Sequence, residues 1–189
     1  MHNKAYEGDV CSHRHSFFLD NFFRHLIQNP KKIVGPYINK GDFVIDLGCG
    51  PGYFTIDMVR MVGELGRIIA VDLQWQMLEK VKAKAQKYHL TNQIHLHECP
   101  RNKIGLDTNI RADFILAYYV VHETPDQNHF LREAKTYLKE KGKFLIVEPW
   151  FHLSQKEFDK MITDLPVLGF SILDRPSKKG GRAVLLTHS

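Results

Sequence analysis

The chain has 189 residues with 43% apolar content, 25% charged content and a net charge of +5, which suits one globular domain with a sizeable core. The first ten residues lack the basic-then-apolar pattern of a signal peptide, and the longest apolar run, residues 114–121, is too short to cross a bilayer. These features argue against a secretory precursor and a membrane span, so we expect a cytoplasmic protein.

The three cysteines, Cys11, Cys49 and Cys99, are too few and odd in number for a disulfide framework, which favours reduced thiols. The mildly basic balance permits a nucleic-acid partner without requiring one. Lysines spread along residues 79–89 are typical of a solvated helix face. The charge therefore does not favour a nucleic-acid substrate.

The first predicted element is a helix over residues 15–28, which ends at Asn29-Pro30. Its apolar stripe contains Phe18, Phe22 and Leu26. Because this helix precedes the first strand, we expect residues 1–40 to form a helical cap on the core, residues 41–189, within a single domain.

Cys11, His13 and His15 precede this helix with C-x-H-x-H spacing, which is one way to begin a metal site. Three ligands so close together need a fourth ligand or an open position, and no C-x-x-C pair occurs elsewhere. We expect this segment to be a lid or a solvated stretch, and we predict no metal.

Strand-like and helix-like segments then alternate along the chain. The predicted strands are short, apolar and rich in β-branched residues, and lie at 42–47, 67–73, 93–98, within 112–121 and at 142–149. Helical spacing occupies residues 53–62 and 75–89, and two further helices are expected after Thr124 and Ser154. Five β/α units of this kind predict a doubly wound sheet.

Two helix starts carry capping patterns. We expect Thr124 to cap the first, with Pro125 at the first helical position and Gln127 completing a capping box, and we expect this helix to stop near Gly142. Ser154–Glu157 repeats the box before the next helix.

The end of the chain contains two strand-like runs, residues 170–176 and 182–189, with the glycine-containing segment SKKGG between them. No helix fits between these runs, so they predict an antiparallel hairpin with a solvated tip. A hairpin at this position adds one reversed strand to an otherwise parallel sheet.

The turn VIDLGCGPGYFT, Val44–Thr55, places three glycines in five positions behind the first strand. A phosphate-binding P-loop requires Gly-Lys-Ser/Thr after four intervening residues, and this turn has no lysine. A dinucleotide turn requires a third glycine at residue 53 or 55, where this sequence has Tyr53 and Thr55. Both alternatives are therefore disfavoured.

The remaining pattern is D-x-G-x-G-x-G, formed by Asp46, Gly48, Gly50 and Gly52, with Asp72 at the end of the second strand. An acid at that place can accept both ribose hydroxyls of an adenosine. An adenosine ligand without a diphosphate fits S-adenosyl-L-methionine, whose amine needs a carboxylate and whose carboxylate needs backbone N–H groups.

This turn, the acid in AVDLQWQML and the terminal hairpin resemble the class I S-adenosylmethionine-dependent methyltransferases over residues 40–189. The family has an α/β, doubly wound, Rossmann-like sheet of seven strands in the order 3-2-1-4-5-7-6, with the last strand antiparallel. The resemblance therefore implies this fold, an N-terminal helix before it, methyltransferase activity and S-adenosyl-L-methionine as the cofactor.

The resemblance also implies cofactor contacts along the strand ends. The glycines line the methionine tail, Asp46 faces its amine, Asp72 binds the ribose and Leu73 packs on the adenine. The family has Asp-Ala near the adenine amine where this sequence has Glu98-Cys99, and Ala117 and Tyr118 correspond to residues beside the sulfonium.

Tyr118–Glu123 ends the fourth strand, at the edge where open α/β sheets bind ligands. His122 and Tyr119 are therefore candidate catalytic residues, since a histidine there has a pKa suited to a base. Alternatively, Tyr119 lies in the core and His122 merely precedes the helix cap. Trp150 and Phe151 either wall a substrate pocket or cover the sheet edge.

The residues at the end of the fourth strand narrow the class of acceptor. Residues 117–120 read Ala-Tyr-Tyr-Val, without the Asn/Asp-Pro-Pro-Tyr/Phe motif common in base-modifying enzymes and without an aspartate to hold magnesium. A small-molecule acceptor is the favoured prediction. An RNA or protein methyltransferase and a non-catalytic S-adenosylmethionine-binding subunit stay open as alternatives.

Overall fold

The structure is a computed structural model that describes residues 29–177 and 181–189. The predicted helix over 15–28 and the Cys11, His13 and His15 segment lie outside the described residues. So do residues 178–180 of the hairpin tip.

The described residues contain seven strands and five helices. The strands are β1 Phe43–Leu47, β2 Arg67–Asp72, β3 Ile94–Glu98, β4 Ala112–Tyr118, β5 Leu138–Pro149, β6 Phe170–Asp174 and β7 Gly181–His188. The helices are α1 Pro30–Ile33, α2 Tyr53–Val62, α3 Trp75–Lys87, α4 Gln127–Thr136 and α5 Gln155–Asp164. Short 3₁₀ turns occupy Gly35–Tyr37, Thr91–Gln93 and Val121–Glu123.

The seven strands form one sheet in the order β3-β2-β1-β4-β5-β7-β6. Strands β1 to β5 pair in parallel, and β7 is antiparallel to both β5 and β6. The predicted fold class and strand order are confirmed. Because the chain moves to the other side of β1 when it enters β4, a crevice opens at the carboxyl ends of these two strands.

The central strands of the sheet are buried on both faces. Successive side chains of a strand point to opposite sides, so Ile115 of β4 packs with α4 and α5 while Phe114 packs with α1 and α2. Helix α3 covers β2 through Leu78 and Val81. Strands with two buried faces read as continuous apolar runs, which is why the sequence displays them clearly.

Two sequence predictions about the connections are wrong. Helix α4 is capped by Asp126, whose side chain accepts a hydrogen bond from the His129 N–H, whereas the Thr124 hydroxyl donates to the Val121 carbonyl. The helix ends at Thr136, well before Gly142, because β5 already begins at Leu138, where it pairs with Ala112.

The prediction of five β/α units is also wrong for the third unit, because residues 99–111 connect β3 to β4 without a helix. The second capping box is confirmed. The Ser154 hydroxyl accepts from the Glu157 N–H, and the Glu157 carboxylate accepts from the Ser154 N–H.

The bounds of α2, residues 53–62, are those predicted, and the terminal hairpin is present as β6 and β7. Within residues 29–177 and 181–189, no helix has the length and apolar character that crossing a membrane requires.

Candidate functional site

A cavity of about 320 Å³ opens at the carboxyl ends of β1, β2 and β4. One wall is the glycine turn after β1 together with the end of β2, and a second wall is the segment from Tyr118 to Asp126. Residues 99–104, directly after β3, line a further side. This is the switch point at which open α/β sheets bind ligands, and the volume suits a small organic molecule.

Two glycines of the turn have positive φ, but their surroundings differ. Gly48 has φ of +66°, and a Cβ added there would lie 2.6 Å from Cγ2 and 2.8 Å from Cβ of Val120. Gly50 has φ of +53°, and a Cβ there would meet no atom within 4 Å. Gly48 therefore permits close packing against the end of β4, whereas Gly50 leaves the cavity open beside the turn.

Asp72 connects the end of β2 to the glycine turn. Its Oδ2 accepts from the Gly50 N–H at 2.8 Å, and its Oδ1 accepts from the Gln74 N–H at 2.9 Å. Burial raises the pKa of Asp72, and the hydrogen bonds from Gln74 and Gly50 offset part of that rise. Because each carboxylate oxygen has two lone pairs, both can still accept a ligand hydroxyl.

Asp46 lies deeper in the same wall, where it is 2% exposed. Its Oδ2 accepts from the Thr55 hydroxyl at 2.6 Å. Burial raises the pKa of Asp46 to about 7, the Thr55 hydrogen bond lowers it, and the nearby charge of Asp72 raises it. A cationic amine would stabilise the ionised form of this carboxyl group.

The cavity brings together seven of the ten predicted cofactor residues, which are Asp46, Gly48, Gly50, Asp72, Leu73, Cys99 and Tyr118. The other three lie outside the lining of the cavity. Glu98 is exposed at the end of β3, Ala117 is fully buried in the sheet, and a Cβ on Gly52 would approach Val81 of α3. Within the described ranges, no three His, Cys, Asp or Glu side chains are grouped to hold a metal ion.

The segment after β3 is held by Glu133 of α4, a residue that the sequence did not single out. The Glu133 carboxylate accepts from the N–H groups of Ile104 and Gly105, both at 2.7 Å, and from the Tyr137 hydroxyl at 3.0 Å. This clamp fixes a cavity wall that has no secondary structure of its own. A glutamate on a helix carries no local signal of such a role.

Aromatic rings form part of the second wall. The Tyr118 ring lies 4.4 Å from Phe54 and 4.3 Å from Tyr119, and Tyr119 makes an edge contact with Phe151 at 6.3 Å. Tyr119 has φ of +62°, an uncommon conformation for a residue other than glycine. Phe151 lines the cavity although it is 60% exposed, whereas Trp150 does not line it. Both predicted catalytic residues, Tyr119 and His122, lie in this wall.

His122 is paired with Glu148, which the sequence did not identify. The Glu148 side chain is fully buried near the end of β5, and its Oε2 accepts from Nδ1 of His122. Its Oε1 accepts from the Val121 N–H at 3.0 Å. The available signal was an acid inside the apolar run FLIVEP, because a buried charge requires a partner.

The chain is similar to proteins of a known family. A family described as a methyltransferase domain matches residues 38–175. A demethylmenaquinone methyltransferase of Lactobacillus johnsonii is 30% identical over 111 residues, which are 59% of this chain and 45% of that protein. The ubiquinone/menaquinone biosynthesis C-methyltransferase UbiE of Pseudoalteromonas translucida is 26% identical over 162 residues, 84% of this chain and 62% of that protein.

Among solved structures, a SAM-dependent methyltransferase from Aquifex aeolicus is similar with a TM-score of 0.83 and 23% identity. The similarity covers 94% of this chain and 98% of that chain. The chain spans about half the length of the curated relatives it matches. The resemblance that the glycine turn, Asp72 and the hairpin predicted is confirmed.

Proposed function

The chain belongs to the methyltransferase domain family, and from that premise we propose that it transfers a methyl group from S-adenosyl-L-methionine to a small-molecule acceptor. One observation carries the proposal. A single cavity has the carboxylates and glycine turn suited to the donor on one wall, and an aromatic wall with a histidine on the other.

The donor fits the first wall by its chemistry. Asp46 supplies the carboxylate that a ligand ammonium requires in a buried place, and ionised Asp46 is the form that such a ligand would stabilise. The N–H groups of the glycine turn suit the carboxylate of the amino-acid tail. Asp72 suits the ribose hydroxyls, with Leu73 beside the adenine.

Methyl transfer needs alignment rather than a metal. The acceptor atom attacks a methyl carbon that the sulfonium already activates, and the C–S bond breaks with its electron pair on sulfur. Holding the two reactants in line can supply roughly 7–11 kcal/mol of the barrier reduction. A cavity that contains both a donor wall and an acceptor wall can hold the two reactants together for this step.

The size and lining of the cavity favour a small acceptor over a macromolecule. The acceptor wall contains the aromatic side chains of Tyr118 and Tyr119, with Phe151 beside them, and the names of the two relatives both refer to menaquinone, a small molecule. An RNA acceptor would instead use basic side chains such as Arg101 and Lys103 of the cavity lining, and transfer to it would weaken steeply with salt. A non-catalytic binding subunit would retain the donor wall and show no transfer.

Cofactor binding is tested by thermal unfolding with S-adenosylhomocysteine and, in parallel, with NAD. We expect S-adenosylhomocysteine alone to raise the melting temperature, and Asp72→Ala to remove that shift. Asp57→Ala, which removes a partly buried acid of α2 that pairs with Arg60 outside the cavity lining, is the matched control and should keep it. A shift with NAD instead would contradict the interpretation of the turn.

The acceptor class is tested with methyl-labelled S-adenosylmethionine and three substrate pools: a metabolite extract, total RNA and total protein. We expect label in the metabolite pool. Label confined to RNA or protein would contradict the small-molecule proposal, and binding without transfer to any pool would support the non-catalytic alternative.

A further inference from the structure

We propose that His122 and Glu148 form a proton-accepting pair in the cavity, and that the acceptor is an aromatic compound with an ionisable hydroxyl group, a phenol. His122 would be the catalytic base and Glu148 a positioning residue that acts through it. The inference rests on the proposed methyl transfer and specifies its acceptor.

Glu148 is held from two directions. It lies near the end of β5 with no solvent exposure, and its two oxygens accept from the Val121 N–H and from Nδ1 of His122. Both partners belong to the 3₁₀ turn after β4. The carboxylate therefore joins the ends of two neighbouring strands and fixes the plane of the His122 ring.

This contact sets the tautomer of His122. Because a carboxylate only accepts hydrogen bonds, the proton of the neutral ring lies on Nδ1, and Nε2 carries the lone pair. The His122 side chain is 15% exposed, and His122 is one of the residues that line the cavity. Nε2 is thus the nitrogen that can take a proton from a bound molecule.

The groups around His122 favour its protonated form. Burial lowers the pKa of His122, but the hydrogen bond and charge of Glu148, together with the charge of Glu123 on the same turn, outweigh burial and raise it. His152, which lies just after β5, stacks on His122 with ring centroids 5.8 Å apart and planes 14° apart. The pair is therefore a stronger base than an isolated histidine.

A base at this place favours a phenol over a neutral amine as the acceptor. A neutral amine attacks through its own lone pair and releases its proton afterwards, whereas a phenol is a weak nucleophile until its proton is removed. The rings of Tyr119 and Phe151 and the stacked pair of His122 and His152 surround the same space. Rings arranged in this way suit a flat aromatic guest.

The reaction step balances without any other reactant. The phenol O–H bond breaks and its proton moves to Nε2 of His122, which becomes an imidazolium paired with the Glu148 carboxylate. The phenolate oxygen forms a bond to the methyl carbon of S-adenosylmethionine. The C–S bond breaks, its electron pair stays on sulfur, and S-adenosylhomocysteine leaves.

The experiment measures methyl transfer to three probes of similar size: 4-methoxyphenol, 4-nitrophenol and 4-methoxyaniline. We expect transfer to both phenols. His122→Asn should lower kcat/KM for 4-methoxyphenol by ~100-fold, the lower end of what a general base contributes. The loss of kcat/KM should be several-fold smaller for 4-nitrophenol. That phenol is largely ionised at pH 8, so most of its molecules have no proton for a base to remove.

Glu148→Gln tests the positioning role separately. Without the carboxylate the pKa of His122 falls, so the acid limb of the kcat/KM profile should move to lower pH and kcat should drop while KM changes little. The matched controls are His95→Asn in β3 and Glu140→Gln in β5, both at exposed side chains, which should leave both readouts unchanged.

The outcomes separate this inference from the proposed function. Absence of any thermal shift with S-adenosylhomocysteine would defeat the proposed function itself. With that shift intact, transfer only to 4-methoxyaniline or to none of the probes would overturn the phenol inference. An equal loss for both phenols would overturn the role of His122 as a base. A lower kcat for Glu148→Gln without movement of the acid limb would overturn the positioning role.

Discussion

Replacing Gly48 with alanine should destabilise the fold through a contact that Gly50 does not have. Both glycines have positive φ, so an alanine at either place adopts a left-handed conformation that costs ~1–2 kcal/mol. Only at Gly48 does the new methyl meet Val120, whose Cγ2 and Cβ would lie 2.6 Å and 2.8 Å away.

The two costs can be added for Gly48→Ala. Rotation of Val120 cannot relieve the overlap, because its Cβ is itself too close, so the backbone after β4 must move. Such overpacking costs ~1–3 kcal/mol beyond the backbone strain, which gives a total of ~2–5 kcal/mol. For a chain of this length each kcal/mol lowers the melting temperature by about 2–4 °C.

Thermal unfolding of four proteins tests this reasoning: the wild type, Gly48→Ala, Gly50→Ala and Gly48→Ala with Val120→Ala. We expect Gly48→Ala to melt several degrees below Gly50→Ala. We also expect Val120→Ala to cost less when Gly48 is already alanine, because it removes the methyl group nearest to the new one. Equal melting temperatures for the two glycine variants, or additive effects of the double variant, would refute the argument.

Two further predictions concern Asp46 and Glu133. Burial raises the pKa of Asp46 to about 7, so the folded chain keeps a proton that the unfolded chain releases near pH 4. The free energy of unfolding should therefore fall as pH rises from about 4 to about 7. Asp46→Asn should reduce the difference in the free energy of unfolding between pH 5 and pH 7.5, as measured by urea titration. An unchanged difference would contradict the role of Asp46. Glu133→Ala should cost ~1–3 kcal/mol and speed amide exchange at Ile104 and Gly105, whereas exchange equal to that of wild type would contradict the clamp.

The sheet was predictable because its strands carry their signal locally. A strand covered on both faces is a short apolar run, and a helix that covers it has 3.6-residue spacing, so Tyr53–Val62 could be predicted to the residue. The errors concern element boundaries that are set by pairing with residues far away in the sequence. Leu138 begins β5 because it pairs with Ala112, and nothing near Leu138 reveals that partner.

The donor wall of the cavity could be predicted from the sequence, whereas the contacts that build the acceptor wall could not. The donor wall consists of a continuous turn and one acid at a fixed distance, so a local pattern describes it. The acceptor wall joins residues of β4, β5 and the segments after them, and Glu148 lies 26 residues from His122. Its role depends on two strands lying side by side, a relation that periodicity within one segment does not contain.

One segment connects these two walls. Val120 packs against Gly48 of the donor turn, the next N–H, that of Val121, donates to Glu148, and His122 comes next with its ring on the same carboxylate. The position of the proposed base therefore depends on a segment whose first residue, Val120, packs against the glycine turn. A substitution that displaces Val120 should therefore alter kcat through His122 even where the donor still binds. For this reason donor affinity and kcat need to be measured separately in every variant of this segment.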